Sequence, residues 1–163
     1  MMSRITLRSF KECDLNRVLE IEKQSFDYEY PEFLIKSLHS KCPDGFLVAL
    51  DENNYVLGYI ITVLEWGNAH VVSIAVDKEY RHHGIGNLLL DAIENHFFKV
   101  YEVKHIVLEV RFTNTVARKF YYKRGYSDRK ILYNYYEDGS DAILMIKKRK
   151  GLIKDYPIYI NMW

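Results

Sequence analysis

Hydrophobic and polar positions follow two different periods along this chain, and each period predicts one kind of secondary structure. Residues 70–76 and 105–110 are apolar, β-branched runs that are typical of strands buried in a sheet. Between them, apolar residues recur at helical spacing, at Ile85, Leu88, Leu89, Ala92, Ile93 and Phe97. A strand, a helix and a strand in this order predict a right-handed crossover with both strands in one sheet.

Shorter signals predict the other elements. Strand-like runs occupy residues 5–8, 46–50, 55–63, 126–136 and 142–147, and the sequence DENN predicts a hairpin turn between the second and third of these runs. Asp14 is predicted to cap a helix that carries Leu15, Val18, Leu19 and Phe26 on one face, and Pro31 with Glu32 is predicted to open a second helix. A last helix is predicted from about Asn114 to Lys123, before Gly125. The pattern predicts an α+β fold around one mixed sheet.

Composition narrows the possible partners. The chain has 163 residues, of which 48% are hydrophobic and 28% charged, as expected of one compact domain. Its 23 Lys and Arg residues against 22 Asp and Glu residues give a net charge of +1, which leaves no global field for nucleic acid or an anionic membrane. The sequence lacks an apolar stretch typical of a signal peptide or a membrane span. We therefore expect a cytoplasmic protein without a nucleic-acid or membrane partner.

Cysteine and histidine positions do not indicate a metal site. Cys13 and Cys42 fit neither a disulfide framework nor a paired metal-ligand pattern, so both are expected to be reduced thiols. The adjacent His82 and His83 lack a partner at metal-ligand spacing. No metal is therefore expected.

The segment RHHGIG, residues 81–86, predicts an anion site between the strand 70–76 and the helix that follows it. Gly84 and Gly86 let the backbone approach a ligand closely, and a helix start offers N–H groups and the positive end of its dipole to a pyrophosphate. Arg81 adds a local cation. The GK[ST] ending of a P-loop is absent, and Leu89 occupies the third small position of a dinucleotide fingerprint, so neither motif fits. Alone, the pattern also fits a flexible loop that binds nothing.

Several blocks of sequence resemble one family in the correct order. RHHGIG, with SIAV upstream of it, is similar to the acyl-coenzyme A motif [RQ]xxG[IL]G of the GNAT superfamily of N-acetyltransferases. The blocks EWGNAHVVSIAV, LEVRFTN, FYYKRGY and YYEDGSDAILM resemble its N-terminal (N-alpha) acetyltransferase branch, which includes archaeal NatA-type and ribosomal-protein enzymes. The resemblance covers roughly residues 46–147. It implies a GNAT fold, with a mostly antiparallel mixed sheet and about four flanking helices.

The resemblance also implies a domain layout, a cosubstrate and a binding site. A single GNAT domain is expected over residues 1–147, with the segment 148–163 as a C-terminal extension packed on or beside it. Acetyl-coenzyme A is the expected cosubstrate, and its phosphates meet two histidines where Arg or Lys is common in the family. The residues expected to bind it are Ile74, Ala75, Val76, Arg81, His82, His83, Gly84, Ile85, Gly86, Asn87, Asn114 and Tyr121.

Three residues match catalytic positions of the family. Acetyl transfer needs a neutral amine and a proton for the departing thiolate, and Glu109 matches a glutamate that acts as the base, with His70 as its partner in archaeal relatives. Tyr121 matches the tyrosine that protonates the sulfur. Without the resemblance, purely structural roles also explain these residues. Glu109 would be a strand carboxylate in an ion pair, His70 a hydrogen-bonded histidine and Tyr121 a packed helix tyrosine.

The acceptor implied by the resemblance is the N-terminal amine of a protein or peptide, attacked directly in a ternary complex. Tyr30, Tyr135 and Tyr136 match positions that grip the peptide. The loop FDYEYP departs from the LPENYP-like loop of relatives and displaces Glu29 by one residue, which moves the role of base to Glu109. A small amine or a lysine side chain as acceptor, and a non-catalytic acyl-coenzyme A sensor, remain alternatives. The oligomer is expected to be a monomer or a homodimer.

Overall fold

The computed structural model describes residues 4–27, 30–152 and 158. Its strands and α-helices follow an α+β order along the chain. They are β1 (Thr6–Ser9), α1 (Leu15–Ser25), α2 (Glu32–Lys41), β2 (Phe46–Leu50), β3 (Val56–Glu65), β4 (Asn68–Val76), α3 (Ile85–Lys99), β5 (His105–Arg111), α4 (Thr115–Lys123), β6 (Ser127–Leu132) and β7 (Ala142–Lys148). Among the described residues, no helix is both long and apolar enough to cross a membrane.

Within the part of the chain that the structure describes, the strands form one mixed sheet of seven strands in the order β1-β2-β3-β4-β5-β7-β6. β4 and β5 are parallel, with Ala69 opposite Ile106 and His70 opposite Val107. They are the strands that α3 connects, as the crossover pattern predicted. The pairs β1–β2, β2–β3, β5–β7 and β6–β7 are antiparallel. The prediction of a mixed, mostly antiparallel sheet with flanking helices is confirmed.

The chain divides into two compact units. One contains the residues up to Val63 together with Val71–His96, and the other contains Leu64–His70 together with the residues from Phe97 onward. Each unit has its own hydrophobic cluster. The first cluster includes the fully buried residues Val18, Ile21, Ile35, Phe46, Val48, Tyr59 and Ile61. The second consists of Val107, Leu132, Ala142, Leu144 and Ile146, with Tyr136 and Ile158 packed against it.

The start and end of α1 differ from the prediction. Asp14 precedes the helix but makes no side-chain cap, because its carboxylate accepts hydrogen bonds from the Lys11 backbone N–H and from the Arg8 guanidinium. Phe26 lies one residue beyond the helix and is exposed, so it is not part of the buried face. The predicted capping role was wrong because a cation on β1 lies within reach of the same carboxylate.

Two loops also have different lengths from those predicted. β3 and β4 extend towards each other and are joined by Trp66 and Gly67, both at positive φ, as in a tight two-residue hairpin turn. β6 ends at Leu132 rather than continuing to Tyr136. Residues 133–141 instead form a loop, in which the Asp141 carboxylate accepts the Asn134 backbone N–H at 2.9 Å. The predicted C-terminal extension lies largely outside the described residues.

Gly45 provides a test of the packing in the first unit. A Cβ at this position would lie 1.9 Å from the carbonyl oxygen of Thr62, which is backbone and cannot move aside. Gly45→Ala is therefore expected to lower the free energy of unfolding by about 3 kcal/mol or more, measured by urea denaturation. Gly139→Ala is the matched control. Its φ of 82° would strain an alanine, but nothing lies close to the added Cβ, so the loss of unfolding free energy should be only about 1–2 kcal/mol. Equal losses in the two variants would contradict this account of Gly45.

Candidate active site

The predicted anion loop joins β4 to α3 in the first unit. His82 has a φ of 67° and Gly84 a φ of 83°, so the backbone turns sharply just before the helix. The first helical hydrogen bond runs from the Leu88 N–H to the Gly84 carbonyl at 3.0 Å. The side chains of Arg81, His82 and His83 are exposed. Because the first-turn N–H groups of a helix have no acceptors within the helix itself, this exposed helix start is suited to an anionic ligand.

Arg81 braces the loop instead of extending from it. Its Nε donates to the Val76 carbonyl at 3.0 Å, and its Nη2 donates to the Ser25 hydroxyl at 3.1 Å. The guanidinium therefore ties the loop to the end of β4 and to α1. Its charge stays beside the helix start, but part of its donor capacity is used within the protein.

Gly58 also shapes this region, although no role was predicted for it from the sequence. A Cβ on Gly58 would lie 3.0 Å from the Ala75 carbonyl oxygen and 3.3 Å from side-chain atoms of Val76 and Ile85. The glycine on β3 thus allows the end of β4 and the start of α3 to pack closely. Its signal in the sequence is only a glycine inside an apolar strand, which commonly marks a close approach.

A second cluster, which we call the carboxylate–imidazole trio, consists of Glu65, His70 and Glu109 in the second unit. His70 Nε2 lies 2.7 Å from Glu109 Oε2, and His70 Nδ1 lies 2.9 Å from Glu65 Oε2. The side chains are partly buried, with exposures of 17% for His70, 10% for Glu109 and 19% for Glu65. The predicted partners His70 and Glu109 are therefore in direct contact, and Glu65 is a third member that was not predicted.

Strand register explains why these side chains meet. His70 lies opposite Val107 in the parallel ladder, and Glu109 follows two residues later on the same face of β5. Glu65 is the last residue of β3, immediately before the turn at Trp66 and Gly67. Glu65 was not predicted because the strand predicted over residues 55–63 ended before it and the next predicted strand began at residue 70. A tight turn within EWGN would have placed Glu65 on a strand beside His70.

The surroundings of His70 favour its charged form. Burial lowers the pKa of the imidazole, but the hydrogen bonds and negative charges of Glu109 and Glu65 outweigh burial and raise the pKa to about 9. At neutral pH both ring nitrogens therefore carry hydrogens and donate to the carboxylates.

Within residues 4–27, 30–152 and 158, no group of three or more His, Cys, Asp or Glu side chains is arranged to hold a metal ion.

Tyr121 lies on α4 and is 7% exposed. The rings of Phe120 and Tyr126 contact it edge-on, with centroids at 5.3 Å and 5.6 Å. Burial raises the pKa of the Tyr121 phenol, and Tyr136 adds to the rise, so the hydroxyl keeps its proton. The neighbouring Tyr122 is different, since it is 41% exposed and its hydroxyl donates to the Asp128 carboxylate at 2.7 Å. Tyr121, rather than Tyr122, is the tyrosine with a proton held in a buried environment.

Arg111 anchors the 133–141 loop that carries two of the predicted substrate-binding tyrosines. Its guanidinium lies 4.2 Å from the centroid of the Tyr136 ring, donates to Asp138 at 3.0 Å and also contacts the Ser140 hydroxyl. The Tyr135 ring stands perpendicular to that of Tyr136 at 5.0 Å. The contact of Arg111 with Tyr136 was not predicted, because the strand predicted over residues 126–136 placed Tyr136 in a strand instead of the loop.

Two further predicted residues have structural contacts. Tyr30 belongs to the first unit and packs against its hydrophobic cluster. Asn114 precedes α4, and its side-chain oxygen accepts the Ala117 N–H at 3.1 Å. Asn114 therefore caps a helix, which leaves its amide nitrogen as the group suited to a ligand contact.

The chain belongs to the GNAT family of acetyltransferases. Residues 15–126 match the Acetyltransferase (GNAT) family. An uncharacterized N-acetyltransferase of Methanocaldococcus jannaschii is 48% identical over 160 residues, covering 96% of this chain and 99% of the relative. The N-alpha-acetyltransferase of Sulfurisphaera tokodaii is 34% identical over 151 residues, covering 85% of this chain and 90% of the relative.

Solved structures agree with this family. The crystal structure of Ard1 from Thermoplasma volcanium is similar with a TM-score of 0.84 and 32% identity, covering 88% of this chain and 97% of that protein. The structure of Naa20 from Chaetomium thermophilum, which was solved with a bisubstrate analogue, is similar with a TM-score of 0.82 and 30% identity, covering 89% and 87% of the two chains. The GNAT resemblance inferred from the sequence motifs is thereby confirmed.

The raised pKa of His70 predicts how stability depends on pH. The ordinary pKa is 6.5 and the folded value is about 9, so the stabilising contribution of His70 is fully present below pH 6.5 and is lost as the pH rises through 9. The difference in unfolding free energy between the wild type and His70→Gln should therefore shrink by roughly 2–3 kcal/mol over this interval. Urea denaturation of both proteins across the interval measures it, and a difference that stays constant would contradict the assignment.

Proposed function

We propose that this protein transfers the acetyl group of acetyl-coenzyme A to the α-amino group of protein N-termini. The observation that carries the proposal is the hydrogen-bonded contact between Glu109 and His70, at positions that match the base and its partner in archaeal N-terminal acetyltransferases. The relatives named N-alpha-acetyltransferase support the same acceptor. The similarity to Naa20, solved with a bisubstrate analogue, supports a reaction in which donor and acceptor are bound together.

The ordinary basicity of a carboxylate favours an α-amine over a lysine side chain as the acceptor. A carboxylate is a weak base compared with either amine. About a tenth of an α-amine with a pKa near 8 is neutral at pH 7, whereas a lysine amine with a pKa near 10.4 is almost entirely protonated. A weak base therefore suffices for an N-terminus, which supports the proposed acceptor.

The donor has a suitable binding segment in the first unit. The exposed start of α3 and the Arg81–Gly84 loop would hold the pyrophosphate of coenzyme A through backbone N–H groups and the positive end of the helix dipole. The backbone of Ile74, Ala75 and Val76 would pair with the pantetheine arm as an added strand does. His82 and His83 then contribute mainly backbone donors.

The proposed reaction is a direct transfer. The neutral amine attacks the thioester carbonyl carbon, so that the new C–N bond forms while the C–S bond breaks. Glu109 accepts the proton that leaves the amine, and Tyr121 gives its phenolic proton to the departing thiolate sulfur. His70, being protonated, acts as a hydrogen-bond donor that holds Glu109. Tyr30, Tyr135 and Tyr136 would position the peptide.

Other acceptors and a non-catalytic role are alternatives that the following experiments separate. A small amine or a lysine side chain would require the same donor site but a different acceptor. A sensor would bind coenzyme A without turnover. A cytoplasmic location, a monomeric or homodimeric state and the absence of a nucleic-acid partner remain predictions from the sequence.

A peptide panel tests the acceptor. Purified protein with acetyl-coenzyme A should add one acetyl group to peptides with a free N-terminus, and mass spectrometry of fragments should place it on the α-amine. The matched controls are the same peptides with a blocked N-terminus and an internal lysine, together with polyamines, and these should remain unmodified. Acetylation of only the lysine peptides or the polyamines would refute the proposed acceptor while leaving the family assignment intact.

Two substitutions test the catalytic assignment. Glu109→Gln removes the proton acceptor and Tyr121→Phe removes the proton donor, so each is expected to lower kcat by about 10²–10³-fold. The KM for acetyl-coenzyme A should change less than kcat, because both variants keep the helix start of α3, although Tyr121 is itself expected to contact the cosubstrate. Tyr122→Phe is the matched control, since that hydroxyl is exposed and bound to Asp128, and it should keep the wild-type rate. Unchanged turnover in the Glu109→Gln, Tyr121→Phe double variant would show that other groups move the protons.

A further inference from the structure

The turn between β3 and β4 has a costly conformation that sets the position of Glu65. Trp66 has a φ of 54°, although a bulky residue rarely adopts the left-handed region, and Gly67 has a φ of 78°. Such a two-residue turn normally contains Asn-Gly or Asp-Gly. Trp66 is 64% exposed, so core packing does not explain its conformation. The turn gives β3 and β4 a register in which Glu65 ends β3 beside His70.

Glu65 fixes the orientation of the His70 ring. The imidazole is held at both nitrogens, at 2.9 Å by Glu65 through Nδ1 and at 2.7 Å by Glu109 through Nε2. With Glu109 as the only partner, a single hydrogen bond would restrain the rotation of the ring about its Cβ–Cγ bond. The bond to Glu65 on the opposite side of the ring removes the remaining freedom and directs the Nε2–H towards Glu109.

Glu65 also determines the net charge of the trio. The charged groups that act on His70 are Glu65 from β3 and Glu109 from β5. One imidazolium between two carboxylates leaves one net negative charge. If Glu65 were neutral, the imidazolium and Glu109 would cancel, and accepting a proton would leave a net positive charge in a partly buried place. The second carboxylate therefore helps Glu109 to accept a proton.

We propose that Glu65 is a positioning residue for acetyl transfer, which holds His70 through Nδ1 so that His70 presents its Nε2–H to Glu109 and the trio keeps a net negative charge. The inference rests on the proposed function, since the role of Glu109 is itself proposed there. Glu65 acts through His70 and need not touch the substrate. Its role is comparable to that of a carboxylate that orients a catalytic or metal-binding histidine.

Glu65→Gln tests the proposal with two readouts. In an NMR titration, the His70 imidazole of the variant should lose its proton at a pH lower than in the wild type by about one unit or more, because one of its two anionic partners is gone. The kcat for peptide acetylation should fall about tenfold or more, with an unchanged KM for acetyl-coenzyme A. The deficit should be largest between the two titration midpoints, about pH 8 to 9 for a shift of one unit, where only the wild type still has a mostly protonated His70.

Controls separate positioning from a general loss of structure. Glu65→Asp restores the negative charge and should recover part of the rate and of the raised His70 pKa. Glu52→Gln makes the same change of charge on an exposed turn and should behave as the wild type. A deficit in Glu65→Gln that is independent of pH, or an unchanged His70 titration, would overturn the proposal.

The outcomes also distinguish this inference from the proposed function. An active wild type with an impaired Glu109→Gln variant and a fully active Glu65→Gln variant would overturn the role of Glu65 alone. A Glu109→Gln variant as active as the wild type would overturn the proposed catalytic assignment, and with it the role of Glu65, even if the His70 titration shifts as expected.

Discussion

The proposed chemistry depends on one constraint of the sheet, namely that alternate residues of neighbouring strands share a face. His70 on β4 and Glu109 on β5 meet because the parallel ladder sets His70 opposite Val107, two residues before Glu109. Glu65 joins them because β3 ends at a turn of only two residues. A shift of one residue in either register would turn a carboxylate to the opposite face and separate it from the imidazole.

The environment that this register creates also bears on the proposed choice of amine. An imidazolium shared by two carboxylates is stable at neutral pH, as the raised pKa of His70 indicates. In the proposed mechanism the base is a carboxylate, which is weak compared with an amine and is matched to an amine that is already partly neutral. Tyr121 complements it, since burial keeps its phenol protonated and able to donate to a thiolate. His70 and Tyr121 are thus held in the protonation states that the proposed transfer requires.

Much of the fold could be predicted because its signals are local. The apolar spacing of α3, the β-branched strands around it and the glycines of the RHHGIG loop are all visible in the sequence, and the structure has them where expected. The failures occurred where a distant partner decides the outcome. Asp14 binds Arg8 instead of capping α1, and Arg111 anchors a loop whose first residues, 133–136, were predicted as strand. Glu65 reaches His70 through a turn that is hard to recognise from the sequence because it contains Trp66.

The two parts of the proposed site differ in how they constrain the sequence. Donor binding would rest on backbone groups of a helix start, on the glycines that shape it and on the brace from Arg81 to Val76, so the loop side chains are free to vary. This explains why histidines at 82 and 83 are compatible with a phosphate site. Proton transfer, by contrast, depends on particular side chains in a particular register. Substitutions in the trio should therefore affect catalysis more than equally drastic substitutions in the side chains of the loop.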